Sequence, residues 1–271
     1  MPNPPDDWIR TALKVTGHFE DSSDPLGAVT GDFDGMGISL GVLQWNIGSN
    51  SLQAMVNAVG RETVVGLMPK FGPELWAACN SNVKQGLAIC RGWQHGGLFV
   101  PDVHKELKAF TRSDAFVEQQ IRRAQRVATE AYSAAQVYAA ADPAYDAVTK
   151  ALFAWFFDLF TQNGGLKGLG YGDVQQFIGP NGAALVDDVI CNWLAARPKG
   201  SVGFRDSNAN ANLWRNSVAG GCLSLFVLSY LRSQLSRPEY RADVMNRKGT
   251  IAVQTGWVHS EKHALRELLE N

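Results

Sequence analysis

Five carboxylates fall within the fifteen residues from Glu20 to Asp34: Glu20, Asp21, Asp24, Asp32 and Asp34. Acids this close together make a solvated loop, a cation site or the acid and base of a hydrolytic reaction. A calcium loop wants oxygen ligands at alternating positions and an acid at the twelfth, and that spacing is absent. Glu20 follows Phe19 at the expected C-terminal end of a helix, where the negative helix pole and aromatic neighbours both disfavour the ionised form. A general acid working near neutral pH needs that protonated state. Asp34 lies in a glycine-marked turn leading into a strand, a polar setting that keeps a carboxylate charged. Two carboxyls pushed in opposite directions form the acid–base pair of a glycosidase.

Further side chains are placed to support such chemistry. Gln44 and Asn46 reach sugar hydroxyl or N-acetyl groups from a strand edge, or else cap a turn. Trp45 stacks on a sugar face or fills the core. Asp158, Gln162 and Asn163 end a strongly apolar helix and either line the opposite cleft wall or, for Asp158, pair with Arg122, Arg123 or Arg126. Arg247, Thr250 and His259 occupy a glycine-interrupted segment that folds back toward the cleft or, for His259, serves a structural role.

Other schemes lack their motifs. The five histidines form no HExxH pair or tight cluster, so neither a metal nor a cofactor is expected. There is no GxSxG elbow, no P-loop and no GxGxxG after a strand. Cys79, Cys90, Cys191 and Cys222 form no CxxC pair and read as buried free thiols.

The elements that position these residues are mostly helical. Asp6 or Asp7 caps a first helix carrying Trp8, Ile9, Ala12 and Leu13 toward Glu20. Asp21 to Gly37 is rich in turn formers, and Ala28–Thr30 and Ile38–Leu43 suit a small sheet. Helical periodicity then predicts Ser51–Val59, Arg61–Leu67, Pro73–Ala78, Ser81–Arg91 and Pro101–Phe110. Longer helices are expected over Asp114–Ala140, Pro143–Asn163, Leu185–Ala196, Asn212–Leu235 and Ser260–Glu270. Pro198–Asn210 reads as a polar loop. The fold class is α+β, mostly α, in one domain over residues 1–271, with lobes of about 1–60 and a helical remainder.

Length and charge bound the function. The 271 residues suffice for a sizeable core, and 45% are apolar. Lys+Arg 25 against Asp+Glu 26 leaves a net charge of −1, which argues against a nucleic-acid binder. No stretch is long and apolar enough for membrane insertion, and the acidic, proline-rich start does not read as a signal peptide.

Glu20, with Asp34-Gly35-Met36-Gly37-Ile38-Ser39 and Gly41-Val42-Leu43, resembles the E…DGxGY[ST]xGhhG signature of chitosanases with a lysozyme-like fold. Gly41-Val42-Leu43-Gln44-Trp45-Asn46 is also similar to the G-[LV]-[ML]-Q motif of goose-type lysozymes and lytic transglycosylases. The similarity covers Trp8–Ser51 and extends to Phe116–Gly165, including Ala154–Asp158. It implies a two-lobed lysozyme-like fold, Glu20 as general acid, Asp34 as the base that activates water, and Ser39 holding that water. The chain departs from the chitosanase pattern in a shorter Glu20–Asp34 interval, which leaves Asp32 as an alternative base, and in Ile38 where an aromatic residue is usual.

The expected activity is a muramidase cleaving the β-1,4 amino-sugar linkages of peptidoglycan. The alternatives are a chitosanase, whose polycationic substrate needs a carboxylate-rich cleft, and a non-catalytic wall-binding module. A wall hydrolase without a leader fits a toxin or lysin that leaves by a non-Sec route or by lysis and acts in the periplasm or cell wall. Its producer would need a cognate immunity protein.

Overall fold

The first helix, α1 (Asp6–His18), carries two acids in its first turn, and Ile9, Ala12, Leu13 and Val15 are fully buried. In the computed structural model, which describes residues 3–20, 23–218 and 220–270, the chain forms two compact units. One comprises residues 16–125 and the other residues 1–15 with 126–271.

Residues 16–125 hold the sequence-predicted acids Glu20, Asp32 and Asp34 and the strand residues Ser39, Gln44, Trp45 and Asn46. Strands β1 (Val29–Thr30), β2 (Ser39–Leu40) and β3 (Trp45–Asn46) form an antiparallel sheet in that order. Thr30 faces Ser39, which faces Asn46; Val29 faces Leu40, which faces Trp45. Helices α2 (Gln53–Val59), α3 (Arg61–Leu67), α4 (Gly72–Cys79) and α5 (Val83–Gly92) follow. A short hairpin of β4 (Gln94–His95) and β5 (Leu98–Phe99) leads into α6 (Pro101–Arg112) and the long α7 (Asp114–Ala141). Ile38, Leu40 and Ile47 from the sheet region share one core with Met55, Leu75, Leu107 and Phe116. That shared core is why this unit runs to residue 125, and not to the expected boundary near 60: the sheet has too little apolar surface to stand without the helices.

The other unit is built around α8 (Lys150–Asn163), whose residues from Leu152 to Leu159 are all buried. Around it come α9 (Tyr171–Asn181), α10 (Val186–Ala195), α11 (Phe204–Trp214), α12 (Leu223–Gln234) and α13 (Arg241–Val253). The chain ends in a hairpin of β6 (Thr255–Val258) and β7 (Glu261–Ala264) and the short α14 (Arg266–Glu270).

The mostly helical expectation with a small N-terminal sheet agrees with the structure. Four local expectations do not. Pro198–Asn210 is not a loop throughout, because α11 begins at Phe204. Asn212–Leu235 is not one helix but the end of α11, a break and α12. Ser260–Glu270 begins as a β-hairpin arm over Glu261–Ala264 and is helical only over Arg266–Glu270. In the first case long-range pairing overrides composition. Asn210 donates to the Trp257 carbonyl at 2.8 Å and accepts from its N–H at 2.7 Å, locking α11 to β6. The helix expected from Pro143 starts at Lys150, where the Thr149 hydroxyl caps the Leu152 N–H. Cys79, Cys90 and Cys191 are buried free thiols, as expected, while Cys222 is half-buried; burial pushes the Cys79 and Cys191 thiols up to about 12.

Candidate active site

Glu20 stands on the turn that ends α1, its backbone N–H bonded to the Gly17 carbonyl at 2.9 Å. The turn is tight because Gly17 lacks a side chain: a Cβ there would lie 2.2 Å from the Pro25 carbonyl oxygen. The strand that faces it is anchored from α7. Buried Gln120 donates to the Leu26 carbonyl at 3.0 Å and accepts from the Val42 N–H at 3.0 Å. One amide therefore ties the entry to β1 to the exit from β2. Gly41, at φ +75°, makes room for it, since a Cβ would meet the Gln120 carbonyl oxygen at 2.6 Å.

These anchors leave a cavity of about 460 Å³ against β1. Glu20, Gln44 and Phe33 line it together with Val29 and Thr30, and α6 contributes His104 and Lys108. A second cavity of about 630 Å³ adjoins it, sharing Val29, Thr30, Phe33 and His104 and extending to Leu98, Phe99 and Pro101. The two make one groove across β1, polar at the Glu20 end and apolar at the other. Phe33 and Leu98 are each 76% exposed there.

The charges around the groove are largely matched. Asp24 accepts from Lys108 at 3.0 Å and from Arg112 at 2.9 Å. Asp32 accepts from Arg91 Nε at 2.5 Å and from the Gly37 N–H at 2.7 Å. The Arg91 hydrogen bond and the Gly37 N–H hold the Asp32 carboxyl below its ordinary value against the opposing effect of desolvation. Asp34 is exposed, and its Oδ1 accepts from the Met36 N–H at 3.0 Å. Burial, together with the Lys108 and Arg112 charges, lowers the His104 pKa below its ordinary 6.5.

The structure thus brings Glu20 and Gln44 to one cavity and leaves Asp32 and Asp34 outside its lining. Gln44 adopts φ +55° and donates to the Gly41 carbonyl at 3.2 Å. Ser39 is buried in the middle strand. Asn46 organises the turn after β3: its side chain accepts from Ser49 N–H and donates to the Gln44 carbonyl. Trp45 is half-buried and packs on the core. Asp21 lies outside the described residues.

In the other unit, Asp158 is 0% exposed and so does not offer itself to a ligand. Its partners are Arg247, at 2.8 Å, and Lys248, not the arginines of α7. Arg122 and Arg126 pair with Glu118 and Glu130 along their own helix. Gln162 is exposed and Asn163 half-buried at the end of α8. Thr250 is fully buried, and His259 lies in the β6–β7 turn with Nε2 4.0 Å from Asp243.

Comparison of the chain with protein families, with characterised proteins and with solved structures finds no match. The geometry of the groove therefore carries the functional argument. Among the described residues there is no group of three metal-ligating side chains, and no helix is long and apolar enough to cross a membrane. Sequence reasoning missed His104, Lys108, Phe33 and Leu98. The signal available was the i, i+4 spacing of His104 and Lys108, which puts both on one helix face.

Proposed function

We propose that the protein is a glycoside hydrolase of lysozyme-like fold that cleaves β-1,4 linkages in peptidoglycan. The observation that supports this most is Glu20, set by the end of α1 at the mouth of a groove that runs across a three-stranded sheet. A carboxyl there protonates the leaving oxygen of a sugar chain lying along β1, with Gln44 offering an amide to the same chain. The exposed Phe33 ring and Leu98 side chain, with half-buried Phe99 beside them, suit the apolar faces and acetamido methyls of N-acetylated sugars.

The charge pattern favours peptidoglycan over chitosan. A polycationic chain needs unspent carboxylates, whereas Asp24 and Asp32 are held by Lys108, Arg112 and Arg91. Among the described residues the cavity wall presents a lysine and a histidine beside one carboxyl, Glu20. Peptidoglycan, with neutral sugars and acidic stems, meets no such repulsion. On this reading the protein acts in the periplasm or cell wall, and an immunity protein would cover the groove in its producer.

Mass spectrometry of digests of purified sacculi and, in parallel, of chitosan tests the assignment. Reducing-end muropeptides that disappear in Glu20→Gln are the expected result. Anhydro ends would make the reaction a transglycosylation. Chitosan oligomers with intact sacculi would transfer the assignment to a chitosanase, and binding to sacculi without products would leave a wall-binding module.

A further inference from the structure

His104 is a titratable group in the groove that a carboxylate-pair scheme leaves unused. Among the described residues it is the one ionisable side chain shared by both cavities, so its ring stands where the polar and apolar ends meet. The ring lies close to parallel with Phe99, centroids 6.0 Å apart and planes 23° from one another, which fixes its orientation from β5. Among the described residues neither ring nitrogen is engaged by a protein hydrogen bond. The two aspartates expected to serve as base are placed differently. Asp32 is committed to Arg91 and the Gly37 N–H, Asp34 accepts from the Met36 N–H, and neither lines the cavity that holds Glu20.

We propose that His104 is the catalytic base of this groove, accepting a proton from the water that attacks the anomeric carbon while Glu20 protonates the leaving oxygen. The inference rests on the glycoside-hydrolase reading of the same groove. In the step, the water oxygen forms its bond to the anomeric carbon as the glycosidic C–O bond breaks. One proton passes from water to the imidazole and another from the Glu20 carboxyl to the departing sugar. The site is left with an imidazolium and a carboxylate, and proton exchange with solvent resets both.

The surroundings suit the role. A base must enter the step neutral, and among the described residues the charged groups about His104 are Lys108 and Arg112 on its own helix and Glu20 from the end of α1; Asp24 pairs with those two cations. The cations oppose a second positive charge, so the ring remains neutral near pH 7.

The test compares wild type, Glu20→Gln, His104→Gln and Asp34→Asn for muropeptide release from sacculi, with pH profiles of kcat/KM. General-base removal is expected to lower kcat by about 10²–10⁴-fold in His104→Gln with KM little changed. The acidic limb of the wild-type profile, set by the imidazole below its ordinary 6.5, is expected to vanish from the residual rate. His104 is exposed, so its thermal midpoint should hold. As an activity-independent readout, N-acetylchitotriose is expected to shift the His104 imidazole resonances in ¹⁵N-histidine spectra of wild type. His104→Gln within threefold of wild type while Glu20→Gln is inactive overturns the proposal and spares the hydrolase reading. So does loss confined to Asp34→Asn, or an unmoved His104 resonance while the sugar binds. Wild-type silence on both sacculi and chitosan overturns the two together.

Discussion

Two aspartates two residues apart end in different chemistry. Asp32 closes the β1–β2 turn by accepting from the Gly37 N–H at 2.7 Å, and Arg91 straps it from α5. Asp34 sits at the exposed tip. Replacing Asp32 with Ala leaves a part-buried amide unpaired and is expected to cost about 1–3 kcal/mol in urea unfolding. Asp34→Ala, a surface change, is expected to stay within about 0.5 kcal/mol. Equal losses would show that the turn does not depend on Asp32. Because the Asp32 carboxyl is held below its ordinary 3.8, its contribution is present above that value and is lost as pH falls below it. At Glu20 the expectation is functional: Glu20→Gln abolishes turnover and leaves the thermal midpoint nearly unchanged, because the side chain is exposed.

The element that holds the groove open is a sheet of two-residue strands, too short to be stable by itself. Its rigidity is borrowed from helices, through Gln120 on α7 and the bare Cα of Gly41. Gln120→Ala would leave the Val42 N–H and the Leu26 carbonyl without their partner, and about 1–3 kcal/mol of destabilisation is expected for each group left buried and unpaired. Gly41→Ala adds a left-handed alanine, worth about 1–2 kcal/mol, to a direct clash with Gln120. Both variants should lower activity beyond their stability loss, read as a fall in kcat at temperatures where they remain folded. Activity retained in both would mean that the sheet does not set the groove.

At the scale of the whole molecule, the unit built on α8 carries a buried ionic centre of Asp158, Arg247 and Lys248. Burial by itself would raise the Asp158 carboxyl, but the two cations override it and hold it well below the carboxylate range. Burial, outweighing the attraction of Asp158, brings the Lys248 amine down to about 8 from its ordinary 10.5. The unfolded chain therefore binds more protons between those values, and unfolding free energy should rise with pH across that window. Lys248→Met is expected to flatten the rise, measured as the thermal midpoint between pH 7.5 and ~10.5 against wild type. Asp158→Asn strands two buried cations and should cost about 3–5 kcal/mol. A loss under 1 kcal/mol would show that water reaches the centre.

Much of the helical content was legible from periodicity alone. Arg61–Leu67 has the expected bounds, and Asp114–Ala141 differs by one residue, because each segment carries its own apolar stripe. The turn chemistry from Gly31 to Gly37 and the strands on either side of it were equally local, and so was the placing of Glu20 at a helix end. The Asn-rich segment before Trp214 was not legible, since its helix depends on Asn210 reaching Trp257, 47 residues away. The ion pairs of Asp158 span about 90 residues, and nothing in the local sequence selects Arg247 and Lys248 over the nearer arginines. His104 and Lys108 were visible as two polar residues on one helix face. That they line the same cavity as Glu20 follows only from the shared core beneath the sheet and α6. Backbone preferences and apolar period act over a few residues and are written in the chain; which polar groups meet is decided by the burial that brings distant segments together.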